Sequence, residues 1–147
     1  MAETNNGPKP YAFLAQAKER FAFLKELGFQ IVKEEEGTYQ SFKDGFWLHY
    51  KNKNIEVWIE YADNEFCISF KKDNLRIGYL FIDAYIFANA SGWAGDMFPF
   101  QKLAPEIDAV ASDVAANYLP ILQGEAGIWH KIEKLANAPK EKKSKLP

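Results

Sequence analysis

Residues 46–81 alternate between apolar and polar side chains, and short polar segments at 52–54, 62–65 and 72–74 interrupt the alternation. Such alternation is typical of strands with one buried face, because successive side chains of a strand point to opposite sides of a sheet. Each interrupting segment contains Asn, which tolerates the backbone angles of tight turns. The pattern predicts an antiparallel meander of four strands at residues 46–51, 55–61, 66–71 and 75–81.

Two further candidate strands precede the meander, at residues 29–35 and 38–43. Acidic residues with Gly37 end the first, and Asp44 with Gly45 ends the second. Residues 82–90, after the meander, are largely apolar on all sides, which fits either a strand buried on both faces or a short buried helix. We therefore expect a sheet of about four to six strands.

The segments on both sides of the meander have apolar residues at three- and four-residue spacing, which is the pattern of amphipathic helices. Pro10 suits a first helical position and Gly28 suits a helix stop, so a helix is predicted at residues 11–27. A second helix is predicted from residues 100–105 to about 119, where Pro120 interrupts it, and a third at about 125–137. The apolar stripes comprise Phe13, Leu14, Ala17, Phe21, Leu24 and Leu27, then Leu103, Ile107, Val110, Val114 and Tyr118, then Ile128, Trp129, Ile132 and Leu135.

Together these elements predict an α+β fold with an N-terminal helix, an antiparallel meander and C-terminal helices packed on one face of the sheet. One domain is expected over residues 1–138, because 147 residues is an ordinary length for one domain and no internal repeat is present. The Lys-rich tail at 139–147 is expected to be disordered.

The alternation also assigns each strand residue to a face of the sheet. The apolar set, expected under the helices, is Phe46, Leu48, Tyr50, Ile55, Val57, Ile59, Tyr61, Phe66, Ile68, Phe70, Leu75, Ile77, Tyr79 and Phe81. The mixed set is Trp47, His49, Lys51, Glu56, Trp58, Glu60, Cys67, Ser69, Lys71, Arg76 and Gly78. We expect the mixed face to be at least half exposed.

Charge and cysteine content argue against several classes of protein. A formal net charge of −2 provides no field that attracts nucleic acid or an anionic membrane. The first nine residues lack a signal-peptide pattern, and the longest apolar run, 77–88, is too short to cross a bilayer. Cys67 is the one cysteine and cannot form an internal disulfide. We expect a cytoplasmic protein that binds neither nucleic acid nor membranes.

Metal and cofactor sites are not indicated by the sequence. His49, His130 and Cys67 lack the paired spacing of zinc ligands, and no calcium-loop motif is present. Gly92 and Gly95 lack the Lys-Ser/Thr of a phosphate loop and the strand–helix context of a dinucleotide fold. No metal and no cofactor are therefore expected.

Two pairs of residues on the mixed face suggest catalysis and are rejected by their predicted spacing. Cys67 and His49 share the face, as a cysteine–histidine dyad would. To keep the apolar residues of neighbouring strands on one face, His49 must lie opposite Glu56 or Trp58, while Cys67 must lie opposite Glu60. One strand then separates Cys67 from His49, by about 9–10 Å laterally. The second pair, Glu56 and Glu60, lies about 13 Å apart along one strand, which is too far for the two carboxylates of a glycosidase. No catalytic residues are predicted.

An aromatic surface is the remaining candidate site. Trp47 and Trp58 become near cross-strand neighbours in either register, and a tryptophan inside a polar rim is typical of protein-binding hot spots. We predict a binding site there with an acidic rim, the alternative being that a loop or helix covers the tryptophans. Trp93, in a glycine-flanked loop, is a second candidate unless it only anchors that loop. The predicted binding residues are Trp47, His49, Glu56, Trp58, Glu60 and Trp93.

Two short motifs accompany the predicted meander. Residues 23–29 read Phe-Leu-Lys-Glu-Leu-Gly-Phe, and residues 118–125 read Tyr-Leu-Pro-Ile-Leu-Gln-Gly-Glu. The layout resembles small bacterial domains of the immunity type, which accompany polymorphic toxins and neutralise them by binding. The resemblance implies a protein partner and brings no catalytic residues. Residues 123–125 here depart from the Gly-Asp expected of that pattern.

Three hypotheses about function follow. The first is a non-enzymatic, immunity-like protein that occludes a partner, with an acidic face suited to a basic partner such as a nuclease. The second is a small-ligand-binding protein or enzyme with a pocket between the sheet and the C-terminal helices, where polar contacts would come from Tyr50, Tyr61, Tyr79 and Tyr85. The third is a homodimer formed through the small residues Ala109, Ser112 and Ala116 or through an open sheet edge.

Overall fold

The computed structural model describes residues 10–39, 42–62, 65–87 and 100–137. In chain order its elements are α1 (Pro10–Arg20), α2 (Phe23–Glu26), β1 (Gln30–Tyr39), β2 (Phe42–Lys51), β3 (Ile55–Ala62), β4 (Glu65–Lys72), β5 (Leu75–Gly78), α3 (Tyr79–Tyr85), α4 (Phe100–Asn117), α5 (Leu119–Leu122) and α6 (Ala126–Ala136). N-terminal helices, five antiparallel strands and C-terminal helices confirm the predicted α+β fold. The predicted tail at 139–147 lies outside the described residues.

The five strands form one sheet in chain order, β1-β2-β3-β4-β5, with antiparallel pairing throughout. Turn chemistry explains the meander. In the β2–β3 turn, Asn52 Oδ1 accepts hydrogen bonds from the backbone N–H groups of Asn54 and Ile55, at 2.9 and 2.8 Å. In the β4–β5 turn, Asp73 adopts the left-handed conformation with φ of 55°. The polar interruptions in the sequence therefore mark turns.

The first hairpin is longer than its sequence predicts. β1 continues through Gly37, and β2 begins before Asp44 and Gly45, so the separate strand predicted at 38–43 does not form. Gly37 pairs directly with Gly45. Backbone pairing between the two long strands outweighs the turn preference of these glycines.

β1 also contains a register shift at Val32. Ile31 pairs with Tyr50, whereas Lys33 pairs with His49, so β1 has one extra residue and Val32 is 53% exposed. Beyond the shift, Glu34 lies opposite Leu48 of the apolar face. The glutamate forms an ion pair there with Lys18 of α1, at 2.9 Å.

The predicted N-terminal helix is divided into two. α1 ends at Arg20 and α2 begins at Phe23, although the apolar stripe through Phe21 and Leu24 stays buried. Gly28 has φ of 90°, as the predicted helix stop requires. The N–H of Phe29 donates to the carbonyl of Leu24 and that of Gly28 to the carbonyl of Lys25, which is the Schellman arrangement of a helix C-terminus.

The strand predicted at 75–81 ends at Gly78. α3 follows at once. The segment 82–90, for which the sequence allowed either a buried strand or a short helix, is therefore helical as far as Tyr85. Its residues 88–90 lie outside the described part of the chain. Tyr79, Ile82 and Asp83 are at most 5% exposed. Their three- and four-residue spacing places all three on one side of a helix, which a strand would not do.

The predicted apolar face forms the core. Its residues on β2, β3 and the centre of β4 are at most 5% exposed, while Phe66, Leu75 and Ile77 near the β5 edge are partly buried. α4 contributes Ile107, Val110 and Val114, and α6 contributes Trp129 and Ile132. Tyr118, between α4 and α5, stacks its ring against Tyr79 and lies 5.4 Å from the ring of Phe70. The helices thus cover one face of the sheet, as predicted.

Candidate functional site

The mixed face predicted from the sequence, here called the outer face, is arranged in rows across the strands. The central row runs from β1 to β5 through directly paired residues: Lys33, His49, Trp58, Ser69 and Gly78. The flanking rows are Glu35, Trp47, Glu60 and Cys67 on one side, and Lys51, Glu56, Lys71 and Arg76 on the other. This register brings five of the six predicted binding residues onto one surface. Trp93 lies outside the described residues.

His49 and Trp58 stack face to face at the centre of the outer face. Their ring centroids are 4.1 Å apart with an interplanar angle of 14°. The contact follows from the register, because the two residues are direct partners on β2 and β3 and cross-strand side chains lie within reach of each other. His49 Nε2 also lies 2.8 Å from Glu56 Oε1, so the imidazole is held by a ring on one side and a carboxylate at its edge.

Arg76 approaches Trp58 from the other direction. Its guanidinium carbon lies 4.2 Å from the centroid of the indole, and its Nε donates a 2.8 Å hydrogen bond to Ser69 Oγ. His49 comes from β2 and Arg76 from β5, on opposite sides of β3, so the indole is contacted from its two sides. We call His49, Trp58 and Arg76 the Trp58 stack. Sequence reasoning placed Arg76 on this face but omitted it from the site.

The acidic rim expected from the sequence is not present as a net charge. Glu56 is bonded to His49, and Glu60 Oε2 lies 3.5 Å from Arg76 Nη2. In the same way, Glu35 lies 4.0 Å from Lys33. Over the three rows, the cationic side chains Lys33, Lys51, Lys71 and Arg76 outnumber the carboxylates Glu35, Glu56 and Glu60. The face therefore has no net negative charge, and the preference for a basic partner loses its physical basis.

Trp47 lies beside the stack, two residues from His49 on β2 and directly opposite Glu60 of β3. It is therefore a diagonal neighbour of Trp58, as the parity argument requires, and both indoles are partly exposed. The helices of the described chain bury their apolar residues against the other side of the sheet. Within the described residues, the two tryptophans therefore belong to a partly exposed surface of mixed aromatic and charged groups.

The same register separates the groups that resembled a catalytic dyad. Cys67 pairs with Glu60, and His49 pairs with Trp58, so β3 and a two-residue offset separate the thiol from the imidazole. Cys67 is exposed. No cluster of three or more histidine, cysteine or acidic side chains suited to a metal ion occurs among the described residues.

Two hollows lie between the sheet and the helices, where the second hypothesis placed a pocket. A cavity of about 120 Å³ is lined mainly by Phe66, Ile68, Tyr79, Leu80 and Val110. A groove of about 540 Å³ lies between the β4–β5 turn and α6, beside Lys72, Asn74, Trp129, His130 and Glu133.

The tyrosines proposed for that pocket are not gathered around it. Tyr79 alone of the four lines either hollow in the described chain, and its hydroxyl donates to Asp113 Oδ2 at 2.6 Å. Tyr50 is fully buried, and burial, reinforced by the nearby charge of Glu34, raises the pKa of its phenol to about 12. Tyr50, Tyr61 and Tyr79 therefore belong to the core, and the four tyrosines do not line a shared pocket in the described part of the chain.

None of the helices in the described ranges is long and apolar enough to cross a membrane. The chain matches no protein-family model, no curated protein and no solved structure. The resemblance to immunity-type domains therefore stays a prediction from the sequence.

Proposed function

We propose that this chain is a non-enzymatic protein-binding domain that acts by covering a surface of its partner with the outer face. The observation that supports the proposal is the Trp58 stack, which presents an indole, an imidazole and a guanidinium together on one sheet surface. Tryptophan and arginine are the residue types most enriched at binding hot spots.

The strands give this surface a fixed geometry. Trp58 lies on β3, at the centre of the five-stranded sheet, and both of its neighbours in the row are held by ladder pairing. A surface that is already ordered loses less conformational entropy when it binds. The stack would therefore contribute more affinity than the same side chains on a loop.

Binding is favoured over catalysis because β3 lies between His49 on β2 and the two nucleophilic side chains of this face, Cys67 and Ser69, on β4. His49 is stacked and bonded to Glu56, and Ser69 accepts from Arg76. The immunity-like form of the proposal, in which the partner is a toxin, rests on the sequence resemblance alone.

The test is capture of the partner followed by mapping of the contact surface. The tagged chain, the W47A/W58A variant and the L119A variant are used to capture proteins from the lysate of the host. Leu119 is 42% exposed on α5, on the helical side, and supplies a matched loss of exposed apolar surface. We expect one stoichiometric partner with the wild type and L119A, and none with W47A/W58A, while circular dichroism shows all three folded.

Cys67 provides the mapping step without any further substitution. As the one cysteine of the chain, it lies in the outer-face row that contains Trp47 and Glu60. We expect the captured partner to protect this thiol from iodoacetamide. Equal alkylation with and without the partner, or unchanged capture by folded W47A/W58A, would contradict the proposal.

The groove of about 540 Å³ beside α6 supports a second candidate, which is binding of a small polar ligand. Its lining includes Lys72, Asn74, His130 and the largely buried Trp129. Mass spectrometry of the purified protein under native conditions, followed by thermal shift with any molecule found, tests this candidate. A ligand whose effect is lost in H130A and retained in W47A/W58A would favour it over the outer face.

The dimer hypothesis has its own test on α4. Ala109, Ser112 and Ala116 are exposed on α4 and present a narrow strip of small side chains. Light scattering distinguishes a monomer from a dimer, and an A109E substitution should dissociate a dimer that uses this strip.

A further inference from the structure

We propose that the outer face binds an acidic segment of a partner protein and that Arg76 donates two hydrogen bonds to one of its carboxylates. This proposal rests on the proposed function and specifies the chemistry of the partner. It reverses the charge preference suggested by composition, because the structure shows which charges of the face are already used.

Arg76 has a donor edge directed away from its internal contacts. Nε donates to Ser69, and Nη2 approaches Glu60 at 3.5 Å. Within the described residues, Nη1 bonds to no acceptor, and the side chain is 45% exposed. The outer edge of a guanidinium offers two parallel N–H groups, which match the two oxygens of a carboxylate.

The guanidinium is also held in place before a partner arrives. The indole of Trp58 fixes its plane, and the bond to Ser69 fixes its rotation within that plane. An arginine ordered in this way loses less side-chain entropy on forming a bidentate pair than one free in solvent. On this interpretation, Trp58 acts mainly as the platform for Arg76, which itself makes the contact.

Lysines add positive charge around the same position. Lys51 and Lys71 flank Glu56 across the β2–β3 and β3–β4 ladders. Glu56 is bonded to His49 instead, and no ion pair holds either lysine within the described ranges. The row of Lys51, Glu56, Lys71 and Arg76 therefore contains three cationic side chains and one carboxylate, and it forms the cationic half of the outer face. That charge complements an acidic peptide segment.

A nucleic acid is the other polyanion that such a surface suggests, and the stack argues against it. Single-stranded nucleic acids bind sheet surfaces by stacking bases on exposed aromatic faces. Both sides of the Trp58 indole are already contacted, by His49 and by Arg76.

The experiment selects random dodecamer peptides, displayed on phage, against the immobilised full chain. Affinities of the enriched peptides are then measured by fluorescence polarisation for the wild type and for R76Q, R76K and R20Q. Arg20 is the matched control, because it is the other arginine of the chain and lies on α1, paired with Asp108 at 2.7 Å. Circular dichroism and thermal melts verify that each variant is folded.

We expect enrichment of peptides that contain Asp or Glu, with affinity reduced about tenfold to a hundredfold in R76Q and unchanged in R20Q. R76K should recover only part of the affinity, since an ammonium group cannot form the two parallel bonds. Affinity should also fall with added salt.

Other outcomes would overturn the inference in distinguishable ways. Peptides without acidic residues, or equal affinity for R76Q, would overturn the role of Arg76. If those peptides still lost binding in W47A/W58A, the proposed function would stand. No enrichment on the wild type, or binding unaffected by W47A/W58A, would overturn both. Tighter binding of an oligothymidylate than of any acidic peptide, lost in R76Q, would replace the protein partner with a nucleic acid.

Discussion

The two faces of one sheet are built on the same alternation but are held together differently. On the apolar face that the helices cover, here called the inner face, Leu48, Ile59 and Phe70 are fully buried. They contribute to stability through the apolar area that they remove from water. On the outer face, Trp58 stays partly exposed and contributes through particular partners, His49 and Arg76. Area burial tolerates rearrangement among apolar residues, whereas a ring stack depends on the identity of each member.

The largest expected effect is on the inner face. F70A removes a fully buried ring that lies beside Tyr118, and a cavity of that size in a core costs about 3–5 kcal/mol. Urea unfolding followed by circular dichroism measures the loss. S69A, one residue away on the outer face, should cost about 1 kcal/mol or less, because it removes one partly exposed hydrogen bond. Equal losses for both variants would contradict the division between the faces.

Alkaline pH should also destabilise the inner face. Burial raises the pKa of Tyr50 to about 12, whereas a tyrosine of the unfolded chain titrates near 10. As pH rises through this window, the unfolded chain releases a proton that the folded chain keeps, so the free energy of unfolding falls. The loss from this group is about 2–3 kcal/mol.

Y50F is the matched control for that pH dependence. The Tyr50 hydroxyl has no hydrogen-bond partner among the described residues, so Y50F should change stability little at neutral pH and should reduce the alkaline loss. Burial also raises the pKa of Tyr118, which leaves part of the loss in place. Unfolding of both proteins at about pH 9 and about pH 11.5 would decide; an undiminished alkaline loss in Y50F would rule out Tyr50 as its source.

A smaller effect on stability is expected from the stack itself. W58A removes the ring contact with His49 and the cation–ring contact with Arg76, together about 1–2 kcal/mol. The same urea titration measures it, with W47A beside it for a tryptophan outside the stack. A loss above about 4 kcal/mol for W58A would place Trp58 in the core and remove the contrast between the faces.

The smallest effect concerns the turn that sets the register of the stack. N52A removes the acceptor of two backbone N–H groups in the β2–β3 turn, at a cost of about 1 kcal/mol. N54A is the control, because only the backbone of Asn54 takes part. The indole resonances of Trp58 in NMR spectra should shift more in N52A than in N54A, since the turn aligns His49 with Trp58. The reverse order would show that the strands set their register without the turn.

The sequence predicts most of the sheet because burial leaves little choice of face. Keeping the apolar set together is enough to bring His49 near Trp58 and Cys67 opposite Glu60, and the observed register confirms both. The predictions of secondary structure that failed did so where two local preferences have similar free energies. At Gly37 and Gly45 the ladder prevails over turn preference, and after Gly78 a buried helical side prevails over continued alternation.

The candidate site is predictable only as a set of residues that share a face. Trp58, Ser69 and Gly78 form a row with small side chains beside the indole, which was the available signal that a long side chain lies there. The long side chain that fills this space is Arg76, and its position depends on its rotamer and on whether it turns toward Glu60 or toward solvent. The alternation of apolar and polar residues carries no information about either. The sequence analysis expected an acidic rim because alternation and composition give the charged residues of a face without showing which of them lie together.

The extra residue at Val32 makes the length of β1 independent of the alignment of the core. Removing one residue from a strand exchanges its faces, and in a central strand that change would expose the core. At Val32 such a loss has no such effect, because Ile31 already pairs with Tyr50 and Lys33 with His49, so both pairs and the faces of these residues are kept without the residue between them. This edge strand can therefore gain or lose one residue while Lys33 and Glu34 keep their faces and the apolar ladder from β2 to β4 keeps its alignment.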